Sequence, residues 1–219
     1  MSLLARFRRA SRLQWPEPTI DEIRKRARIL VIDDLEFPYS QLFERDGYVI
    51  KKWDDVSNLT ELEHGDYDLI LLDLQGVGRA ESAEEGLGVL KHIRTRCPAQ
   101  IIIAYSNADW PLKNQPFFKM ADATLQKSAD YVEFKEKVDE LLRQRFALGF
   151  YVSRIQAELA SHKQDLPALD KNSRDAILTG RPEQLGKYLR DKVGDTATVD
   201  RVIQIANIAV GVANLWKTT

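Results

Sequence analysis

The chain has 219 residues, 44% hydrophobic and 30% charged, with a formal net charge of -1, which is the composition of a globular protein with room for one medium and one small domain. So balanced a charge singles out neither nucleic acid nor an acidic surface as a partner. A single cysteine, Cys97, excludes an internal disulfide framework and suits a reducing compartment, the cytoplasm, while no run of about 18 uncharged apolar residues offers a membrane span.

Residues 1–27 read as a basic N-terminal extension. Arg6, Arg8, Arg9 and Arg12 precede the first acid, Glu17, and alternate with Leu3, Leu4, Phe7 and Trp15. Over residues 1–15 this pattern has the amphipathic character of a peripheral membrane contact, although a tail packed on its own domain is the commoner use of it. Pro16 and Pro18 separate it from a short helix over 19–26.

From residue 28 strand and helix patterns alternate, the signature of a parallel sheet covered on both faces. Arg28 to Ile32 forms an apolar strand. Pro38 opens a helix that Gly47 stops. Residues 48–53 make a less apolar strand suited to a sheet edge, and a helix is expected over 56–64. The run Leu69, Ile70, Leu71, Leu72 is a strand buried on both faces. A helix over 86–93, a strand ending at Ser106, a strand ending near Lys127 and a helix over 131–148 follow. With right-handed crossovers these units give a doubly wound, flavodoxin-like α/β fold, a five-stranded parallel sheet of order 2-1-3-4-5.

In that order the first and third strands are neighbours, and both end in acid: Asp33 and Asp34 after the first, Asp73 after the third. Open α/β sheets carry their chemistry at this carboxyl edge. Three carboxylates that close cannot all stay ionised unaided, so the cluster predicts a raised pKa or a bound cation, and hard oxygen ligands suit Mg²⁺. Gly76 and Gly78, in the loop after Asp73, do not make a dinucleotide fingerprint. The third glycine is replaced by Glu81, and the loop follows the third strand instead of the first.

The ordered set of Asp33 and Asp34, Asp73, Ser106 and Lys127 at successive strand ends resembles the receiver domain of two-component response regulators, over residues 28–143. The resemblance implies that Asp73 is the phosphoacceptor and that Asp33, Asp34, Asp73 and the backbone carbonyl of Gln75 hold Mg²⁺. It also implies that Lys127 and Ser106 contact the phosphoryl oxygens and that Thr124 stands in the position of the aromatic switch residue. Departures from the pattern are Thr124 itself, Ser128 in place of a proline after the lysine, Asn107 after Ser106, and a longer loop after Asp73. The implied partners are a sensor histidine kinase or phosphotransfer protein upstream and an output protein downstream.

Residues 144–219 read as an all-helical output or dimerisation region, with helices expected from 150 onward, over 166–178, over 182–193 and over 196–216. The last is so widely apolar that it must be buried in a small bundle, a homodimer or against another protein. Residues 185–205 have the outline of a helix-turn-helix, but the second helix would open on Asp195, Thr196, Ala197, Thr198, Val199 and Asp200, with only Arg201 and Gln204 suited to base edges. A DNA-binding regulator is therefore the least favoured of three readings. The other two are a phosphorylation-controlled response regulator and a receiver-like interaction module that works without phosphate. His64, His92 and His162 sit in no catalytic motif, and no independent enzymatic activity is expected.

Overall fold

A computed structural model describes residues 14–107 and 119–216. Among the described residues the chain divides into two compact units, one of Glu17–Arg154 and one that includes residues 155–216. The basic segment over 1–13 lies outside the described residues, as does most of the chain between the fourth and fifth strands.

The larger unit is built on a five-stranded, all-parallel sheet in the order 2-1-3-4-5. Its strands are β1 (Arg28–Ile32), β2 (Val49–Trp53), β3 (Leu69–Asp73), β4 (Ile102–Ser106) and β5 (Ala123–Gln126). Every residue of β3 and β4 is buried, as central strands covered on both faces must be, whereas β2 at one edge alternates. This is the doubly wound, flavodoxin-like strand order followed by a helical region, as the sequence pattern implied.

Five helices belong wholly or partly to this unit: α1 (Ile20–Arg26), α2 (Ser40–Arg45), α3 (Gly86–Arg96), α4 (Tyr131–Arg145) and α5 (Leu148–Glu158). Thr19 and Glu22 form a reciprocal capping box at the start of α1, and Asp130 caps α4 through the Glu133 amide. The expected helix over 56–64 is a short 3-10 helix, Leu59–Glu63. Leu62 is its one buried residue, Asn58 caps it through the Thr60 amide, and Gly65 with φ 71° turns the chain away, so no apolar stripe of two turns exists to propagate an α-helix. α2 begins two residues later than Pro38 suggested. α4 stops at Arg145, and a separate helix begins at Leu148, where a single helix to 148 was expected.

In the smaller unit α6 (Leu166–Leu178), α7 (Pro182–Arg190) and α8 (Thr196–Leu215) pack on one another. Leu169, Ile177, Leu185, Leu189, Val202 and Ile205 are among their buried side chains. The apolar face of α8 is therefore covered by a small bundle, one of the three burials that its sequence allowed. A Cβ on Gly186 of α7 would meet Ile203 Cδ1 at 2.6 Å, so the glycine sets how closely α7 approaches α8. No described helix is long and apolar enough to cross a membrane.

Gly86 fixes how closely α3 approaches the sheet. A Cβ there would lie 2.1 Å from the Asp73 carbonyl oxygen and 2.8 Å from Leu74 Cα, both backbone atoms that cannot swing aside. Gly86→Ala is expected to destabilise the chain by about 1–3 kcal/mol, as overpacking does, in urea unfolding. Gly211→Ala, on the exposed side of α8 with nothing within 4 Å, should instead be neutral or stabilising.

Candidate functional site

The register of β1 on β3 places Ile32 opposite Leu72, so the residues that follow, Asp33 and Asp73, leave the sheet side by side. Asp33 is 2% exposed and Asp73 is fully buried, while Asp34 is exposed. Asp33, Asp34 and Asp73 each offer a carboxylate oxygen, all within 4.8 Å of one another. Gly76, with φ 88°, keeps the space beside them open, since a Cβ there would meet the Asp34 carboxylate at 2.3 Å.

Lys127 enters from the far side of the sheet. β5 ends at Gln126, opposite Ser106, and the Lys127 amide donates to the Ser106 carbonyl at 2.8 Å. Its ammonium lies 2.6 Å from Asp73 Oδ2 and 3.2 Å from Asp33 Oδ1. Asp73 and Asp33 are held by further donors. Asp73 Oδ1 accepts from the Gln75 amide at 3.0 Å and Asp33 Oδ1 from the Leu35 amide at 2.9 Å. Asp33 Oδ2 accepts from the Tyr105 hydroxyl at 2.7 Å.

Asp33, Asp34, Asp73 and Lys127 are thus brought together, with the Gln75 backbone beside them. Ser106 stands at its strand end fully buried, its hydroxyl donating to the Asn107 carbonyl at 3.3 Å. Thr124 is exposed in the body of β5, opposite Ala104 of β4 and short of the cluster. Tyr105 escaped the sequence reading because a tyrosine in an apolar strand reads as bulk. The signal that could have found it is general: a buried tyrosine hydroxyl needs a partner.

The loop over residues 74–85 is anchored. The Glu85 carboxylate accepts from the Gly76 amide at 2.7 Å and from Arg79 Nε at 3.2 Å, and Asp55 accepts from the Gly78 amide at 2.5 Å. Glu85, at φ 54°, is the one described residue other than glycine with a positive φ. The loop between the acids and α3 is therefore held in a defined, locally strained path.

Burial pushes the Asp73 carboxyl up to about 6, with Lys127 and the Gln75 amide pulling the other way and the Asp33 charge adding to the rise. Burial alone would lower the Lys127 ammonium, but Asp73 and Asp33 outweigh it and raise it, so the lysine stays charged. One ammonium facing three carboxylates leaves negative charge in excess. An all-oxygen donor set of this size, with a glycine clearing its flank, fits a hard divalent cation such as Mg²⁺.

No protein-family model and no curated protein sequence matches the chain. Among solved structures, the response regulator TrrA of Thermotoga maritima, crystallised with Mg²⁺ and BeF, is 28% identical, with 52% of this chain and 98% of that one covered, at a TM-score of 0.43. A CheY-like receiver domain protein of Methanospirillum hungatei is 24% identical over 54% of this chain and 95% of its own, at 0.45. NtrX of Brucella abortus is 19% identical over 69% of this chain and 34% of its own, at 0.47. The first two of these structural neighbours are a response regulator and a response regulator receiver domain protein.

The raised Asp73 carboxyl has a consequence for stability. A carboxyl whose folded pKa lies above its unfolded one favours folding only while protonated, so its effect is lost as pH rises from about 3.8 through about 6. The difference corresponds to roughly 3 kcal/mol at most. Asp73→Asn should therefore raise stability above pH 6 by about 1–3 kcal/mol and change it little below pH 4. Urea unfolding across that range, without divalent cations, would show a gain independent of pH if burial of the charge were not the cause.

Proposed function

We propose that the larger unit is a phosphoacceptor domain of a two-component response regulator, in which Asp73 takes a phosphoryl group from a phosphohistidine of a sensor histidine kinase or phosphotransfer protein. The observation that carries this reading is the convergence of Asp33, Asp34 and Asp73 with Lys127, whose ammonium bridges Asp73 and Asp33. A carboxylate at this position is a competent nucleophile. An Asp73 oxygen forms a bond to phosphorus as the P–N bond of the donor breaks, its electron pair returning to the imidazole.

The chain's own groups supply positioning and charge, on which phosphoryl transfer chiefly depends. The Gln75 amide fixes the Asp73 carboxylate by its Oδ1. Lys127 sits where it can follow negative charge onto the transferred group. Asp33, Asp34, Asp73 and the Gln75 backbone would hold Mg²⁺, which when bound neutralises charge on the phosphoryl oxygens. Ser106, by rotating its hydroxyl away from Asn107, would take one of those oxygens. On this reading the protein works in the cytoplasm, has no separate enzymatic activity, and passes its signal through the helices of residues 155–219 to a protein partner or a second copy of itself.

A second reading, an interaction module that works without phosphate, is favoured by two observations. Thr124 is exposed and short of the cluster, and the Ser106 hydroxyl is turned to its neighbour's carbonyl. DNA binding loses support because Arg201 is committed, its Nε donating to Glu158 at 2.7 Å and its guanidinium also to the Thr198 hydroxyl at 2.9 Å.

Incubation with acetyl phosphate and Mg²⁺ should add one phosphoryl group, detected by intact mass and labile to hydroxylamine. The modification should be absent without a divalent cation and in Asp73→Asn. Lys127→Ala should slow it by roughly 10²-fold, the order expected for loss of one charge-stabilising donor. Modification elsewhere, or its persistence in Asp73→Asn, would favour the second reading.

A further inference from the structure

We propose that Tyr105 is a positioning residue of the cation site: its hydroxyl, bonded to Asp33 Oδ2, holds that carboxylate in the orientation in which the three acids share a cation. The inference rests on the reading of the cluster as a Mg²⁺-dependent phosphoacceptor site, and assigns a role to a residue outside the strand-end set.

Tyr105 is 1% exposed and sits on β4 opposite Asp73, so the strand register delivers its ring beneath the cluster. Its hydroxyl lies 2.7 Å from Asp33 Oδ2, and its ring lies 5.7 Å from the Lys127 ammonium. Phe37 and Phe134 hold the ring, with centroids 6.1 and 5.9 Å away, the latter edge-to-face.

The bond matters because of what lies beside Asp33. Asp33, Phe37, Tyr39, Tyr105, Lys127 and Phe134 line a pocket of about 120 Å³, largely apolar, which gives the Asp33 carboxylate room to turn away from Asp34 and Asp73. The Leu35 amide and Lys127 both hold Oδ1, leaving Oδ2 to Tyr105. Asp33 Oδ2, with one accepted bond, keeps a further lone pair for a cation or its bound water while the hydroxyl fixes the direction in which it points. Partners of this kind orient metal ligands and are worth about 10–100-fold in metal affinity.

The test is a Mg²⁺ titration followed by backbone amide NMR shifts of Leu35 and Gln75, with no phosphodonor present. Tyr105→Phe removes one oxygen and keeps the ring. It is expected to weaken Mg²⁺ binding about tenfold, with phosphorylation by acetyl phosphate slowed at limiting Mg²⁺ and restored at saturating Mg²⁺. Tyr39→Phe, which loses a hydroxyl bonded to the Ala129 carbonyl in the same aromatic cluster, should leave the affinity unchanged. In an Asp33→Asn background Tyr105→Phe should cost less than in the unaltered chain, because the tyrosine acts through Asp33. In the unaltered chain, saturation with Mg²⁺ should also shift the Tyr105 ring resonances, a measurement that does not require the variant to fold. Equal affinity in Tyr105→Phe and the unaltered chain, or an unmoved Tyr105 ring, would overturn the inference and leave the phosphoacceptor reading standing. Absence of Mg²⁺ binding by the unaltered chain would overturn both.

Discussion

The site depends on a carboxylate held where water cannot reach it. Asp73 ends a strand whose every residue is buried, and it is fully buried itself, so its charge is paid for by Lys127 and one backbone amide. An unpaired ion in such a place would cost several kcal/mol. Lys127 cannot serve Asp73 alone, because Asp33 draws on the same ammonium. The result is a cluster short of positive charge, an arrangement that on the proposed reading suits a cation and an electrophile.

Acids elsewhere in the same unit show what a charge-matched carboxylate looks like. Asp122 accepts from the Ile102 amide at 2.8 Å and pairs with both Arg94 and Arg154. Asp139 takes the Tyr48 hydroxyl at 2.5 Å and the Arg24 guanidinium, which ties α1 and β2 to α4. Asp68, at the opposite end of β3 from Asp73, accepts from the Arg28 amide at 2.9 Å and lies 3.5 Å from the guanidinium of Arg145, itself 1% exposed. In each case a guanidinium stands against the acid, and the group joins elements of the fold. Charge accounting therefore separates these paired acids from the cluster at the strand ends without appeal to any likeness.

Much of this was legible in the sequence because it rests on local patterns. Apolar runs of strand length ending in Asp33, Asp73 and Ser106 announce both the sheet and the edge where chemistry gathers, and the crossover rule makes β1 and β3 neighbours. What could not be read depends on contacts distant in sequence. The hydroxyl of Tyr105 finds Asp33 across 72 positions, and Asp139 finds Arg24 across 115. That α4 ends at Arg145 and a new helix begins at Leu148 was hidden as well, because the helical pattern of the sequence runs on unbroken from 131 to 158. The helix expected over 56–64 failed for the opposite reason: its residues suit a helix, but in the turn that forms, Leu59–Glu63, only Leu62 is buried.

The same shared lysine sets the terms on which a modified Asp73 could alter the domain. On the proposed reading, a phosphoryl group at Asp73 adds about two negative charges within reach of the one ammonium that now bridges Asp73 and Asp33. Lys127 would follow the greater charge, and Asp33 would lose its 3.2 Å ion pair while keeping the Leu35 amide and the Tyr105 hydroxyl. The Lys127 backbone is bonded to the Ser106 carbonyl, and the Leu74 amide to the Tyr105 carbonyl, so these shifts begin on strands already locked in register. Movement must then appear in side chains and in the loops that follow the strands, which places the response to charge at the carboxyl edge and leaves the buried sheet unchanged.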